Sequence, residues 1–124
     1  MGVSDSWQRA GRHTVTPRII TEDPQGLVDY LREVFGAEGE LQSGRPVELR
    51  LGDSVVMISD GGGQWEMAPA FLIVYVDDTD AVYRRAIKSG ATSLGDPSDM
   101  PWGDRWATVR DSWGNTWQIA TARG

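Results

Sequence analysis

The sequence predicts an α+β fold made of two copies of one βαβββ module. Three observations predict it: a repeat at an offset of 54 residues, two amphipathic helix patterns each closed by Gly-Ala, and a hairpin signal between two alternating runs. In the repeat, Ile19-Ile20 followed by Asp23 matches Ile73-Val74 followed by Asp77. Val28 matches Val82, and Gly36-Ala37 matches Gly90-Ala91. Each copy reads as an apolar strand, an acidic turn, an amphipathic helix and a stop. Agreement of all four in the same order marks a repeated supersecondary unit.

The first strand is expected at 14–21. The first helix follows at 24–35, with Asp23 as N-cap and Pro24 at the first helical position, where its missing N–H costs nothing. Leu27, Leu31, Val34 and Phe35 form its buried stripe, and Gly36 stops it in a left-handed conformation. The second helix is expected at 80–89, capped by Asp78 or Thr79, with Val82, Ala86 and Ile87 inward and Gly90 at its end. Further strands are expected at 47–51, 54–59, 71–77, 105–111 and 116–121, with weaker ones near Glu40 and Ser93. Gly52-Asp53 reads as a two-residue hairpin, which pairs Leu51 with Ser54, Leu49 with Val56 and Val47 with Ile58. Glu48, Arg50, Val55 and Met57 then point to the face away from the helices.

The chain divides into a polar segment 1–13 and one domain 14–124, with modules 14–60 and 70–122 and a linker 61–69 that holds Gly61-Gly62-Gly63 and Trp65. The run 95–104, with two prolines, is expected to be a long loop, either a binding loop or a solvent loop pinned by Trp102.

Twelve basic residues stand against eighteen acidic ones, a net charge of −6. That disfavours nucleic acid as a partner. There is no cysteine, so thiolate metal sites, disulfides and a thiol nucleophile are excluded. No apolar run is long enough for a membrane span, and none near the start reads as a signal peptide, so a cytoplasmic protein is expected. No phosphate loop, nucleophile elbow or dinucleotide fingerprint is present. Six tryptophans are unusual for this length, and four fall between Trp102 and Trp117. They offer flat surfaces for a core or for stacking on a planar guest. Trp117 is expected under the helices and Trp113 at a turn, whereas Trp65, Trp102 and Trp106 are the candidates for a ligand. Asp104 and Arg105 are expected to pair with each other.

The two modules resemble the vicinal oxygen chelate superfamily (glyoxalase, bleomycin resistance, dioxygenase). The run Trp102-Gly103-Asp104-Arg105, followed by Asp111-Ser112-Trp113-Gly114-Asn115-Thr116-Trp117-Gln118-Ile119-Ala120-Thr121, is similar to its PhnB-like branch. Ser112 departs from that branch, which usually has proline there. The resemblance implies a curved mixed sheet, a partial barrel around one cavity with helices outside, and a homodimer. Carried over by position, the superfamily's metal ligands fall on Thr16, Met57, Phe71 and Gln118. These are poor donors for a divalent ion, so no metal and no cofactor is expected.

The candidate ligand-binding residues are Arg18, Arg50, Met57, Trp65, Phe71, Tyr75, Trp102, Trp106 and Gln118. Arg18 and Arg50 either pair with Glu48 or receive an acidic group of the ligand. Glu48 and Tyr75 are the candidate catalytic residues, and His13 is expected to be exposed. The favoured reading is metal-independent binding of a flat, partly apolar small molecule, as in antibiotic or secondary-metabolite sequestration. The alternatives are a metal-free isomerase or cyclase, and a metal-dependent lyase or dioxygenase of the same superfamily.

Overall fold

A computed structural model of the protein describes residues 7–41, 44–61 and 66–123. The elements run β1 (Arg18–Thr21), α1 (Pro24–Phe35), β2 (Val47–Leu51), β3 (Ser54–Asp60), β4 (Phe71–Tyr75), α2 (Thr79–Lys88), β5 (Thr92–Asp99), β6 (Arg105–Arg110) and β7 (Thr116–Thr121). They form an α+β fold with a three-stranded sheet, β1-β3-β2, and a four-stranded sheet, β4-β7-β6-β5. Each sheet is mixed. β1 is parallel to β3 and β4 is parallel to β7, while the remaining neighbours are antiparallel.

Local chemistry sets the helices. The Asp23 carboxylate accepts the Gly26 N–H at 3.0 Å, and Gly36 closes α1 at φ 69° with its N–H on the Arg32 carbonyl. Asp78 caps α2 by accepting the Ala81 N–H at 3.1 Å. Leu27, Val28, Leu31 and Val34 are buried on α1, and Val82 and Ala86 on α2. Ile87 does not face inward as expected. It is exposed, because it lies about 100° of helix rotation beyond Ala86 and off the buried line.

The hairpin has the expected register, with Leu51 opposite Ser54, Leu49 opposite Val56 and Val47 opposite Ile58. Three expectations are corrected. β1 begins only at Arg18, because Pro17 has no N–H to donate and offers only its carbonyl, which accepts from the Met57 N–H. The weak strand near Glu40 is reduced to a single bridge between Glu38 and Arg50. The expected loop 95–104 is half strand. β5 continues to Asp99, and a tight turn follows in which the Met100 N–H reaches the Asp104 carbonyl at 2.7 Å. Pro97 is tolerated because β5 is an edge strand whose register shifts between Gly95 and Ser98.

One core serves both sheets. Ile19, Leu49 and Ile58 of the first join Val109, Trp117 and Ile119 of the second in one buried cluster to which both helices contribute. Phe35 of α1 meets the Trp117 ring at a centroid distance of 5.5 Å, so the contact crosses from one half of the chain to the other. Arg85 of α2 adds two donors, at 3.2 and 2.9 Å, to the Val34 carbonyl at the end of α1. Ile20 of β1 bridges Ala68, in the segment that leads into β4. Among the described residues no helix is long and apolar enough to cross a membrane.

Candidate functional site

Alternation along β4, β7 and β6 places three rows on the face of the second sheet that turns away from the core. They are Phe71–Thr116–Arg110, Ile73–Gln118–Thr108 and Tyr75–Ala120–Trp106. Phe71 is 64% exposed, Tyr75 60% and Trp102 61%. Large apolar groups this open on one face form a patch that a lone soluble domain rarely leaves uncovered. Trp102 stands edge-on to Trp106 at 5.1 Å and 75°. The expected ligand residues Phe71, Tyr75, Trp106 and Gln118 therefore come together on one sheet face, with Trp102 beside them. Trp65 lies outside the described residues.

Asp104 organises the polar end of this face. Its carboxylate accepts the Tyr75 hydroxyl at 2.9 Å and the Trp106 indole N–H at 3.2 Å. The hydrogen bond to Asp104 pushes the Tyr75 phenol above its usual range, with burial and the carboxylate's charge acting in the same direction. The expected pairing of Asp104 with Arg105 does not form. Arg105 is adjacent on an extended strand, so it points the opposite way, toward Asp80 at 2.6 Å and Asp99 at 3.0 Å. The signal for Asp104 was present in its two-residue spacing from Trp106, which puts both on one side of the chain.

The other candidates lie on the first sheet. Arg18, Met57 and Glu48 are successive cross-strand neighbours, and Arg50 stands opposite Val55. Glu48 does not pair with Arg18 or Arg50. Its carboxylate meets Arg12 at 3.1 Å, Arg9 at 3.4 Å and Arg45 at 3.9 Å. Hydrogen bonding from Arg12 leads the effects that hold Glu48 below the usual carboxylate range, with the charges of Arg9 and Arg45 adding to it. Arg18 turns to the Ser59 hydroxyl at 3.2 Å. Arg9 and Arg12 were missed in the sequence because they belong to a polar segment with no periodicity. Folding lays that segment on the sheet, and the exposed His13 ties it to the Asp53 carbonyl at 2.8 Å.

Of the positions that correspond to metal ligands, Thr16 precedes β1, Met57 belongs to the first sheet, and Phe71 and Gln118 belong to the second. Thr16 accepts from Arg12 at 3.3 Å. Among the described residues no three His, Cys, Asp or Glu side chains converge. The donor set does not suit a divalent ion.

A cavity of about 510 Å³ lies at the seam between the halves. Its lining includes Pro17, the Gly52-Asp53 turn, Phe35, Trp117, Arg85 and the length of β4. It shares Ile73 and Tyr75 with the aromatic face. Thr116 donates to Ala70 and Val76 to Ala120, so the even residues of β4 bond to β7. Phe71, Ile73 and Tyr75 consequently turn their backbone N–H and C=O groups to the outer edge of the sheet.

The comparisons with known proteins agree with this architecture. Residues 12–119 match the Glyoxalase/Bleomycin resistance protein/Dioxygenase superfamily. The crystal structure of TioX from Micromonospora sp. ML1 superposes with a TM-score of 0.75 at 28% identity, covering 88% of this chain and 98% of that one. A glyoxalase/bleomycin resistance protein/dioxygenase family enzyme from Burkholderia phytofirmans PsJN shares the fold, with a TM-score of 0.76, 20% identity, and 86% and 96% coverage. An uncharacterized protein of Mycobacterium tuberculosis (strain H37Rv) is 28% identical over 126 residues, covering 85% of this chain and 72% of the relative. The chain belongs to the glyoxalase/bleomycin resistance protein/dioxygenase superfamily.

Proposed function

We propose that the protein binds a flat, partly apolar small molecule without a metal ion, in the manner of sequestration of an antibiotic or secondary metabolite. The observation that carries this reading is the open aromatic face of the second sheet, where Phe71, Tyr75, Trp102 and Trp106 surround a few polar groups. Small-molecule sites are commonly lined this way. Tyr75, Asp104 and Trp106 are already bonded to one another, so the ring positions are set before a guest arrives and less entropy is lost on binding. Gln118 supplies an amide in the middle row.

The two candidate proton carriers favour binding over catalysis. Tyr75 is held protonated by Asp104, and Glu48 is held ionised by its arginines. Each is shifted away from neutrality, the reverse of what general acid–base catalysis calls for. The same face supports a homodimer. Two copies would cover Phe71, Ile73 and Tyr75 by setting the curved sheets of one against the other around a shared cavity, in the PhnB-like manner that the Trp102–Arg105 and Asp111–Thr121 runs resemble.

The test is a tryptophan fluorescence titration against a panel of flat aromatic natural products. Quenching that saturates, and that is weakened in Gln118→Ala and Tyr75→Ala, is the expected result. Absence of both quenching and thermal shift across the panel would overturn the proposal.

A further inference from the structure

The first sheet carries a cluster of charged side chains that the proposed function does not use. On the first sheet Arg9, Arg12 and Arg45 converge on the one carboxylate of Glu48. Arg18 and Arg50 flank it: Arg18 lies in the Met57–Glu48 row, and the Arg50 guanidinium would lie 3.6 Å from a Cβ built on Gly11. The chain as a whole carries a net charge of −6, yet here three guanidinium groups meet the carboxylate of Glu48 and two more lie on the same sheet face. No other acidic side chain pairs with any of the five among the described residues. Like charges gathered in this way repel, and Glu48 neutralises only one of them.

Arg12 shows that the neutralisation is incomplete. Its side chain is 12% exposed. One nitrogen meets Glu48 and another the Thr16 hydroxyl, but its buried Nε has no partner. A buried donor left unpaired is costly, and a charged one more so. Beside it lies an open hollow lined by Gln8, Gly11, Arg12, His13 and Thr14, and Arg45 and Glu48 line a neighbouring one with Gly39, Glu40 and Pro46, so the Glu48 contacts join the two. Guanidinium groups are the preferred partners of phosphate and carboxylate oxygens because their planar forks match them bidentately.

We propose that this arginine cluster is a binding site for a small oxyanion, a phosphate dianion or the phosphate group of a monoester, with Glu48 as the internal carboxylate that holds the arginines together until the anion arrives. Three arginines less one carboxylate leave two positive charges, which a dianion balances. The anion also supplies the acceptor that Arg12 Nε lacks. The Gln8–His13 segment thereby becomes part of the site, and its anchoring on the sheet tightens when the anion is bound.

The test compares thermal unfolding in millimolar inorganic phosphate with sodium chloride of equal ionic strength, followed by calorimetric titration with phosphate and with phenyl phosphate. Phosphate is expected to raise the midpoint by roughly 3–6 °C over chloride. Arg12→Gln and the more exposed Arg45→Gln are expected to lose the shift, with circular dichroism checking that each folds. Glu48→Gln removes the internal competitor and is expected to bind phosphate roughly tenfold tighter. Tighter binding of phenyl phosphate than of phosphate assigns the site to an organic monoester, and equal or weaker binding assigns it to the free ion. An equal midpoint in chloride, a shift that survives in folded Arg45→Gln, or weaker binding in Glu48→Gln would overturn the proposal. The aromatic titration uses the second sheet and none of these residues. Loss of phosphate binding with aromatic binding kept would therefore count against this site alone.

Discussion

The carboxylate of Asp111 accepts the indole N–H of Trp117 at 2.8 Å inside the turn that joins β6 to β7. It also accepts the backbone N–H groups of Trp113 and Asn115 and the side-chain amide of Asn115, each at 2.9 Å. Asn115 in turn accepts the Ala70 N–H at 2.8 Å and so anchors the start of β4. The Asp-x-x-Gly-Asn-x-Trp run is therefore a structural clamp that holds the start of β4 and with it the aromatic face.

Replacing Asp111 by alanine leaves four donors without an acceptor in the interior. A loss on the order of 3–5 kcal/mol is expected in urea unfolding, because several buried neutral donors lose their acceptor at once. A loss below 1 kcal/mol would show that water replaces the carboxylate.

The Tyr30 hydroxyl is buried without a hydrogen-bond partner. Tyr30→Phe removes a group whose desolvation is uncompensated, so stability should stay level or rise by up to about 1 kcal/mol. Burial, and then the charge of Asp111, raise the Tyr30 phenol well above its ordinary value. In the unfolded chain the phenol ionises near pH 10 while the folded protein keeps its proton. Stability from this group is full below that pH and falls as pH rises above it. The alkaline decline should be shallower in Tyr30→Phe, and identical slopes for the two proteins would refute the assignment.

Gly26 lies in the first turn of α1 beneath Trp113. A Cβ there would come within 2.7 Å of the indole and would press on the Asp23 carboxylate that caps the helix. Alanine normally gains about 1 kcal/mol over glycine in a helix interior. Here displacement of the Asp23 cap and of the Trp113 ring outweighs that gain, because a lost cap costs about 1 kcal/mol and overpacking another 1–3. Gly26→Ala should lower the midpoint of thermal unfolding, whereas an unchanged or higher midpoint would mean that Trp113 gives way freely.

Asp104→Asn removes the charge beside Tyr75 and weakens the acceptor that holds its proton. The Tyr75 phenol should then ionise at lower pH than in the parent protein, as read by absorbance against a Tyr75→Phe control. An unchanged titration would show that Asp104 does not set the phenol. The edge-on contact of Trp102 with Trp106 should loosen at the same time, since the Trp106 N–H loses its charged partner, and tryptophan emission reports that change.

Glu48 provides a further titration. Its carboxylate is held low by Arg12, then by Arg9 and Arg45, so it stays ionised to lower pH than a free glutamate. The stability it contributes is present above the unfolded value and lost as pH falls through the folded one. Arg12→Gln should move the Glu48 carbon resonance titration upward, and no movement would remove Arg12 as its main partner.

Both helices were legible in the chain because their signals are local. Asp23, Pro24 and Gly36 carry the start and stop of α1, and period 3.6 carries its buried stripe. The hairpin register was equally readable, since a two-residue turn at Gly52-Asp53 leaves one alignment that keeps Val47, Leu49 and Ile58 on the core side. Parity then put Phe71, Tyr75 and Gln118 on one face. The start of β5 was readable near Ser93, but its run to Asp99 was not, because Gly95 and Pro97 mark a loop in isolation and only an edge position with a shifted register allows a strand to carry Pro97. Nor was the partner of Glu48, because nothing in the order of residues says which surface a polar segment lies on.

Along the chain alone, the amino-acid order set where each helix begins and ends and which side chains share a sheet face. Those properties depend on neighbours a few residues apart and on periods of 2 and 3.6. Tertiary structure alone decided that Asp104 holds Tyr75, that Arg9 and Arg12 close on Glu48, and that Asn115 ties the Asp111 turn to Ala70. Each of these joins groups far apart in the chain, and their distance in space is set by how two sheets and two helices share one core.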